Sequence, residues 1–212
     1  MQGFYQQERA LFWESDHEIV RIDAWGQHSL RVRATIGTAI RDELVGALLP
    51  PADTSVQIEL SAEEATIRNG MLAAKISREG FITFIDALSG AELLAEERPL
   101  RATRIPPRAF KAQGELFHLE ARFRAYDDER FYGLGQHQHG RLNQKGCTID
   151  LIQRNTEVSI PFLLSSRGYG FLWNNPAVGR VELGNNQTRW VAEATPQLDY
   201  WITAGATPAA IM

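Results

Sequence analysis

Cys147 is the only cysteine in 212 residues. No disulfide can form within the chain, so its stability has to come from packing. No apolar run is long enough to span a bilayer, which argues against a membrane partner. There is no basic excess either. The 22 Lys and Arg against 26 Asp and Glu leave a net charge of -4, with no basic stripe suited to nucleic acid. The opening MQGFYQQERALFWESD lacks the basic and apolar regions of a secretory signal, so the expectation is a cytoplasmic protein unless a signal has been removed. Internal repeats, low-complexity tracts and heptads are missing. So are a G-x-S-x-G elbow, a nucleophilic-cysteine signature and the βα alternation that builds a barrel.

What is present reads as strand. Hydrophobic residues make up 44% and charged residues 23%, a balance typical of a soluble domain with a real core. Residues 18–23 and 29–35 alternate apolar and polar side chains around Trp25-Gly26-Gln27, which predicts a hairpin with one wet face. Residues 44–53, with Pro50-Pro51, predict a loop. A meander follows over 55–60, 65–68, 71–77, 81–86 and 91–95, with turns at Asn69-Gly70, Glu79-Gly80 and Ser89-Gly90. Turn signals recurring at about ten residues indicate an all-β sandwich or barrel. Residues 98–113 carry prolines and several arginines and predict an irregular connection between sheets. Residues 115–124 place Phe117, Leu119, Ala121 and Phe123 on one face of a strand. Strands are also expected over 180–183, 188–193 and 198–203. Thr207-Pro208 reads as a helix start, Thr as N-cap and Pro at the first helical position. With only Ile211-Met212 left, the expectation is a chain truncated at a connection over 207–212.

Several clusters could carry function. Tyr132-Gly133-Leu134-Gly135-Gln136 has a G-x-G spacing but no third glycine, no helix start and no βαβ setting, so a dinucleotide loop is rejected. Its glycines instead let backbone pass close to neighbouring strands. His137 and His139 could share a strand face and hold a metal, with Cys147 or Asp150 as further ligands, but nothing in the spacing demands it. No metal site and no cofactor are expected. Residues 152–157 form a polar loop between a strand over 147–151 and a buried run over 158–164. Arg154, Asn155 and Glu157 in it offer donors and acceptors suited to sugar hydroxyls. Tyr169, Phe171 and Trp173 share one parity and read as core more readily than as a stacking platform. Asp127-Asp128-Glu129 reads as a solvated turn.

The block from Arg130 to Asn175, above all YGLGQ, Gln153-Arg154-Asn155 and the IPF and GYG wording, resembles the N-terminal β-sandwich of glycoside hydrolase family 31, the α-glucosidases and α-xylosidases. The resemblance implies an antiparallel, galactose-mutarotase-like sandwich over residues 1–206, followed by the start of a connection to a catalytic barrel. The family's loop often reads N-R-D-x-x and touches the sugar. Asn155 stands at the Asp position, keeping an acceptor, adding two donors and losing the charge. Substrate contacts are therefore expected from Arg154, Asn155 and Glu157, with His137 near the sugar. Retaining glycosidases need two carboxylates about 5 Å apart. The family's nucleophile lies in a W-x-D-M-N-E-like motif that no tryptophan here begins. The implied catalytic residues lie beyond Met212, and these 212 residues alone are expected to be inactive. The implied partners are the chain's own barrel and an α-linked oligosaccharide, and the wording leans to the α-xylosidase side. A homo-oligomer stays open. Two alternatives also remain: a free-standing carbohydrate-binding sandwich, and a mutarotase-like epimerase, which needs an acid and a base facing one pocket.

Overall fold

In the computed structural model, residues 3–15, 17–43, 46–51, 54–99 and 104–212 are described. The strands are β1 (Gly3–Gln7), β2 (Ala10–Glu14), β3 (Glu18–Ala24), β4 (Ser29–Ile36), β5 (Gln57–Leu60), β6 (Glu64–Asn69), β7 (Leu72–Ser77), β8 (Ile82–Asp86) and β9 (Glu92–Ala95). They continue as β10 (Arg108–Gln113), β11 (Leu116–Arg124), β12 (Phe131–Gln136), β13 (Thr148–Leu151), β14 (Val158–Ser165), β15 (Tyr169–Trp173), β16 (Gly179–Leu183), β17 (Gln187–Thr195) and β18 (Leu198–Ala204), followed by the one-turn helix α1 (Pro208–Ile211).

All strand pairs are antiparallel, as the frequent turns require. One layer is an eight-stranded sheet, β1-β2-β3-β4-β18-β15-β14-β12. The other joins two five-stranded sheets, β5-β6-β7-β8-β9 and β10-β11-β17-β16-β13, through a bridge between Glu96 and Phe123. The layers close on alternate residues of each strand. Phe171 of the first layer stacks on Trp190 of the second, ring centroids 4.9 Å apart, and Phe123 packs edge-on to Phe171 and Tyr200. Tyr169, Phe171 and Trp173 are at most 2% exposed, so the shared parity marks core.

Several expectations need correction. Residues 108–113 form β10 rather than irregular chain. Its inward group is Arg108, which breaks the apolar alternation that signals a strand. Arg108 joins Glu18 of β3 (2.5 Å) to Glu96 (2.5 Å) and donates to Gly80 O (2.9 Å), tying the two layers together. Burial works against the Arg108 charge, but Glu96 and Glu18 outweigh it and hold its pKa above the ordinary value. The β6–β7 loop is Gly70-Met71, one residue later than expected. Asn69 pairs with Leu72, and its buried amide donates to Gly26 O and Ser29 O.

The hairpin of β3 and β4 has no wet face. Its outer side carries Arg31, paired in two bonds with Asp199, and Arg33, paired with Asp23 at 2.7 Å, all buried. A strap of residues 37–43 and 46–51 lies over them. Asp42 binds Arg21 and Arg33, Ala47 N donates to Asn174 Oδ1, and Leu49 O accepts from Trp25 Nε1. The loop expected over 44–53 is loop where residues 46–51 are concerned. Residues 44, 45, 52 and 53 lie outside the described residues, as do 100–103 of the expected connection.

The acidic turn is solvated only in part. Glu129 is 2% exposed and accepts from Ser165 Oγ (2.6 Å) and Tyr169 Oη (2.8 Å). Thr207 does cap α1, its hydroxyl accepting from Ala210 N at 3.2 Å.

Candidate functional site

Register brings the sugar-contact candidates together. β12 and β14 pair as Gly135 with Ser159 and Gln136 with Val158. The chain leaving β12 at His137 therefore starts beside the loop that enters β14. Gln138 Nε2 donates to Thr156 Oγ1 at 2.6 Å and closes the two loops on each other. His137 and the 154–157 loop share one end of the sandwich.

The YGLGQ segment makes that approach possible. Gly133, Leu134 and Gly135 have φ of 103°, 68° and 96° in succession, across a break in the β12–β14 register. A Cβ on Gly135 would lie 1.9 Å from Val158 O. Glycine is required there by contact as well as by φ.

Each candidate side chain has a distinct setting. His137 is half-buried, and its Nε2 donates to Leu134 O at 2.8 Å, which leaves Nδ1 as an acceptor. His139 stacks on it, centroids 5.6 Å apart, and accepts from Arg141 N. Both lie past the end of β12, so they do not share a strand face. Among the described residues no three His, Cys, Asp or Glu side chains converge on a metal position. Arg154 is exposed and pairs with Asp150 at 2.9 Å. Among the described residues, the Asn155 amide and the half-buried Glu157 carboxylate have no side-chain hydrogen bond. Gln153 fixes the loop base by accepting from Ser159 N and donating to Glu157 O. The result is a braced turn that presents unengaged polar groups outward.

β14 is not the buried run expected. Its inward residues Leu163 and Ser165 are covered, but Val158 and Ile160 on the outward face are 44% and 49% exposed. Sequence reasoning also missed a groove of about 350 Å³ beside the loop, bordered by Ile152, Gln153, Pro161, Asn174 and Ala177 together with Ala47 of the strap. Its rim is held locally by Asn175, whose Oδ1 accepts from Ala177 N at 3.0 Å.

The structure does place one histidine among carboxylates. His118 lies 3.2 Å from Glu193 and 3.4 Å from Glu120 on the outer face of β11 and β17. Those carboxylates are already committed to Arg180, Arg122 and Arg189. The result is a charged lattice on a flat sheet, without the facing acid and base that epimerisation needs.

This two-layer antiparallel sandwich with its loop-bearing end is a galactose-mutarotase-like domain. Residues 19–182 match the glycosyl hydrolase 31 N-terminal galactose mutarotase-like domain, and the chain belongs to that family. It is 36% identical over 97% of its length to an uncharacterized family 31 glucosidase, ORF2, of Pseudescherichia vulneris, covering 42% of that protein. It is 35% identical to alpha-xylosidase A of Aspergillus niger over 67% of its own length and 20% of the relative's. A family 31 alpha-xylosidase from a soil metagenome, solved with xylose, superposes with a TM-score of 0.92 at 40% identity, covering 99% of this chain and 33% of that one. The chain thus spans less than half the length of the curated relatives it matches.

Proposed function

We propose that this chain is the N-terminal sandwich of a retaining exo-α-glycosidase of the α-xylosidase type. It packs on the catalytic barrel of its own polypeptide and lends the 153–157 loop to the sugar pocket. The 40% identity over 99% of the chain to an alpha-xylosidase solved with xylose carries this reading. The braced loop supports it: Asn155 stands unengaged at its tip and the Glu157 carboxylate unengaged at its base, and His137 is held at the same end by the β12–β14 register. Charge at the sugar then comes from Arg154 and Glu157, while Asn155 supplies a neutral donor and acceptor. The two catalytic carboxylates belong to the barrel, where a double displacement retains the anomeric configuration.

The test is hydrolysis of α-xylosyl and α-glucosyl substrates by the polypeptide as its gene encodes it, with the first-formed anomer followed by NMR. Preferential release of α-xylose supports the proposal. Absence of hydrolysis of either substrate, or β-xylose formed first, contradicts it.

A further inference from the structure

The outer face of the eight-stranded sheet has two unlike halves. Over β3, β4 and β18 it carries the Arg31–Asp199 and Arg33–Asp23 pairs, and the strap of residues 37–43 and 46–51 lies over it. Over β14 and β15 it is apolar. Val158, Ile160, Phe162 and Leu164 alternate outward on β14, and Leu172, paired with Phe162, continues the surface onto β15. Val158 and Ile160 are 44% and 49% exposed, and Phe162, Leu164 and Leu172 are half-buried. Among the described residues the strap comes only to the rim of this half, where Ala47 N donates to Asn174 Oδ1 just past β15.

One end of this stripe is already covered by the chain itself. Gly170, opposite Leu164, is the notch. A Cβ there would lie 2.6 Å from Ile211 Cγ2 and 3.0 Å from the Phe162 ring. Ile211 of α1 is thus seated on the stripe at 7% exposure, whereas Met212 beside it is 87% exposed. The remaining length, from Phe162 to Val158, leads back to the 153–157 loop. The opposite outer face, on β11, β16 and β17, offers no such surface. It is a lattice of paired charges, Arg180, Glu182 and Arg189 among them, stable against water as it stands.

We propose that the stripe formed by Val158, Ile160, Phe162 and Leu172 is the docking surface for the polypeptide that follows α1, which continues the contact begun by Ile211. This rests on the reading of the chain as one domain of a longer glycosidase, and it names the face that domain uses. The occupant is assigned by continuity. α1 enters the stripe at its hairpin end, and the relatives that match the whole chain extend well beyond the match, which covers 42% and 33% of two of them. β14 is roughly 26 Å long at 3.3 Å per residue. The loop and α1 therefore sit at opposite ends of it, and a domain that follows α1 and lies along this stripe reaches the loop.

The test is hydroxyl-radical labelling of the polypeptide as encoded, read by mass spectrometry. Leu88, at 70% exposure on the β8–β9 turn, is the internal reference. Labelling of Val158 and Ile160 several-fold below that of Leu88, in a monomer by sedimentation, is the expected result. Labelling comparable with Leu88 overturns the proposal, and so does protection that disappears on dilution, which would assign the stripe to a second copy. As a second measurement, Ile160→Lys should raise labelling at Val158 and Phe162 and leave Leu88 unchanged; an unchanged Val158 counts against docking. Hydrolysis of α-xylosides, measured in parallel, separates the two readings. An active enzyme with a freely labelled stripe sinks the docking surface alone. A protected stripe in an inactive protein sinks the glycosidase reading and leaves the docking surface standing.

Discussion

Replacing Arg108 by methionine should destabilise this protein more than any other single change to its charges. Arg108 is 5% exposed and Glu96 is 3% exposed. Methionine keeps most of the volume and removes the cation, leaving Glu96 with only the bond from Ile82 N at 2.9 Å. Glu18 can turn to water, but Glu96 cannot. Stranding a buried charge in this way costs about 3–5 kcal/mol, roughly 6–20 °C in Tm for a domain of this size. The loss depends on pH, with a definite sign. Burial already pushes the Glu96 carboxyl above its usual value, with Arg108 opposing. Without Arg108 that elevation grows, and the folded state binds a proton that the unfolded state has released. Stability of the variant is therefore retained below about pH 4.3. It falls as pH rises through the raised value, at up to about 1.4 kcal/mol per pH unit. Urea unfolding at pH 5 and pH 8 measures both effects. Arg108→Met with Glu96→Met should recover much of the loss, because no charge is left buried. A loss under about 1 kcal/mol for the single variant, equal at both pH values, would mean that Glu96 is not a buried charge held by Arg108.

Three further outcomes follow from the same structure. Gly135→Ala should cost about 2 kcal/mol or more, because its Cβ would meet Val158 O at φ 96°; an unchanged Tm contradicts the close approach. Asn69→Ala should cost about 1–3 kcal/mol in urea unfolding, since the carbonyls of Gly26 and Ser29 lose their buried donor. Burial pushes the Glu129 carboxyl up against the bonds from Ser165 and Tyr169. The stability difference between wild type and Glu129→Gln should therefore move in favour of the variant as pH rises above about 4.3, and a pH-independent difference contradicts this.

Much of the sandwich was legible because its signals are local. Alternation and turn glycines such as Gly80, Gly90 and Gly168 marked hairpins in the right places. What stayed hidden depends on partners distant in sequence. Arg108 reads as surface until Glu18, 90 residues away, is brought to it. Glu129 reads as part of an acidic turn until Ser165 and Tyr169 close over it. Arg31 and Arg33 read as a wet face because nothing in 29–35 announces the strap. The loop over residues 152–157 was visible as a polar segment between two strands. Its meeting with His137 was not, because that depends on the β12–β14 register and on the positive φ of Leu134, a residue type that gives no hint of it.

On the proposed reading, the loop touches the sugar. The most direct measurement is kcat/KM on an α-xyloside for Arg154→Ala and Asn155→Ala in the polypeptide as encoded, with Tm measured alongside. Each lost hydrogen bond to substrate is worth about 1 kcal/mol, roughly fivefold in kcat/KM. A loss of that order with Tm unchanged is the expected result, since both side chains are exposed. Wild-type kcat/KM in both variants would contradict it.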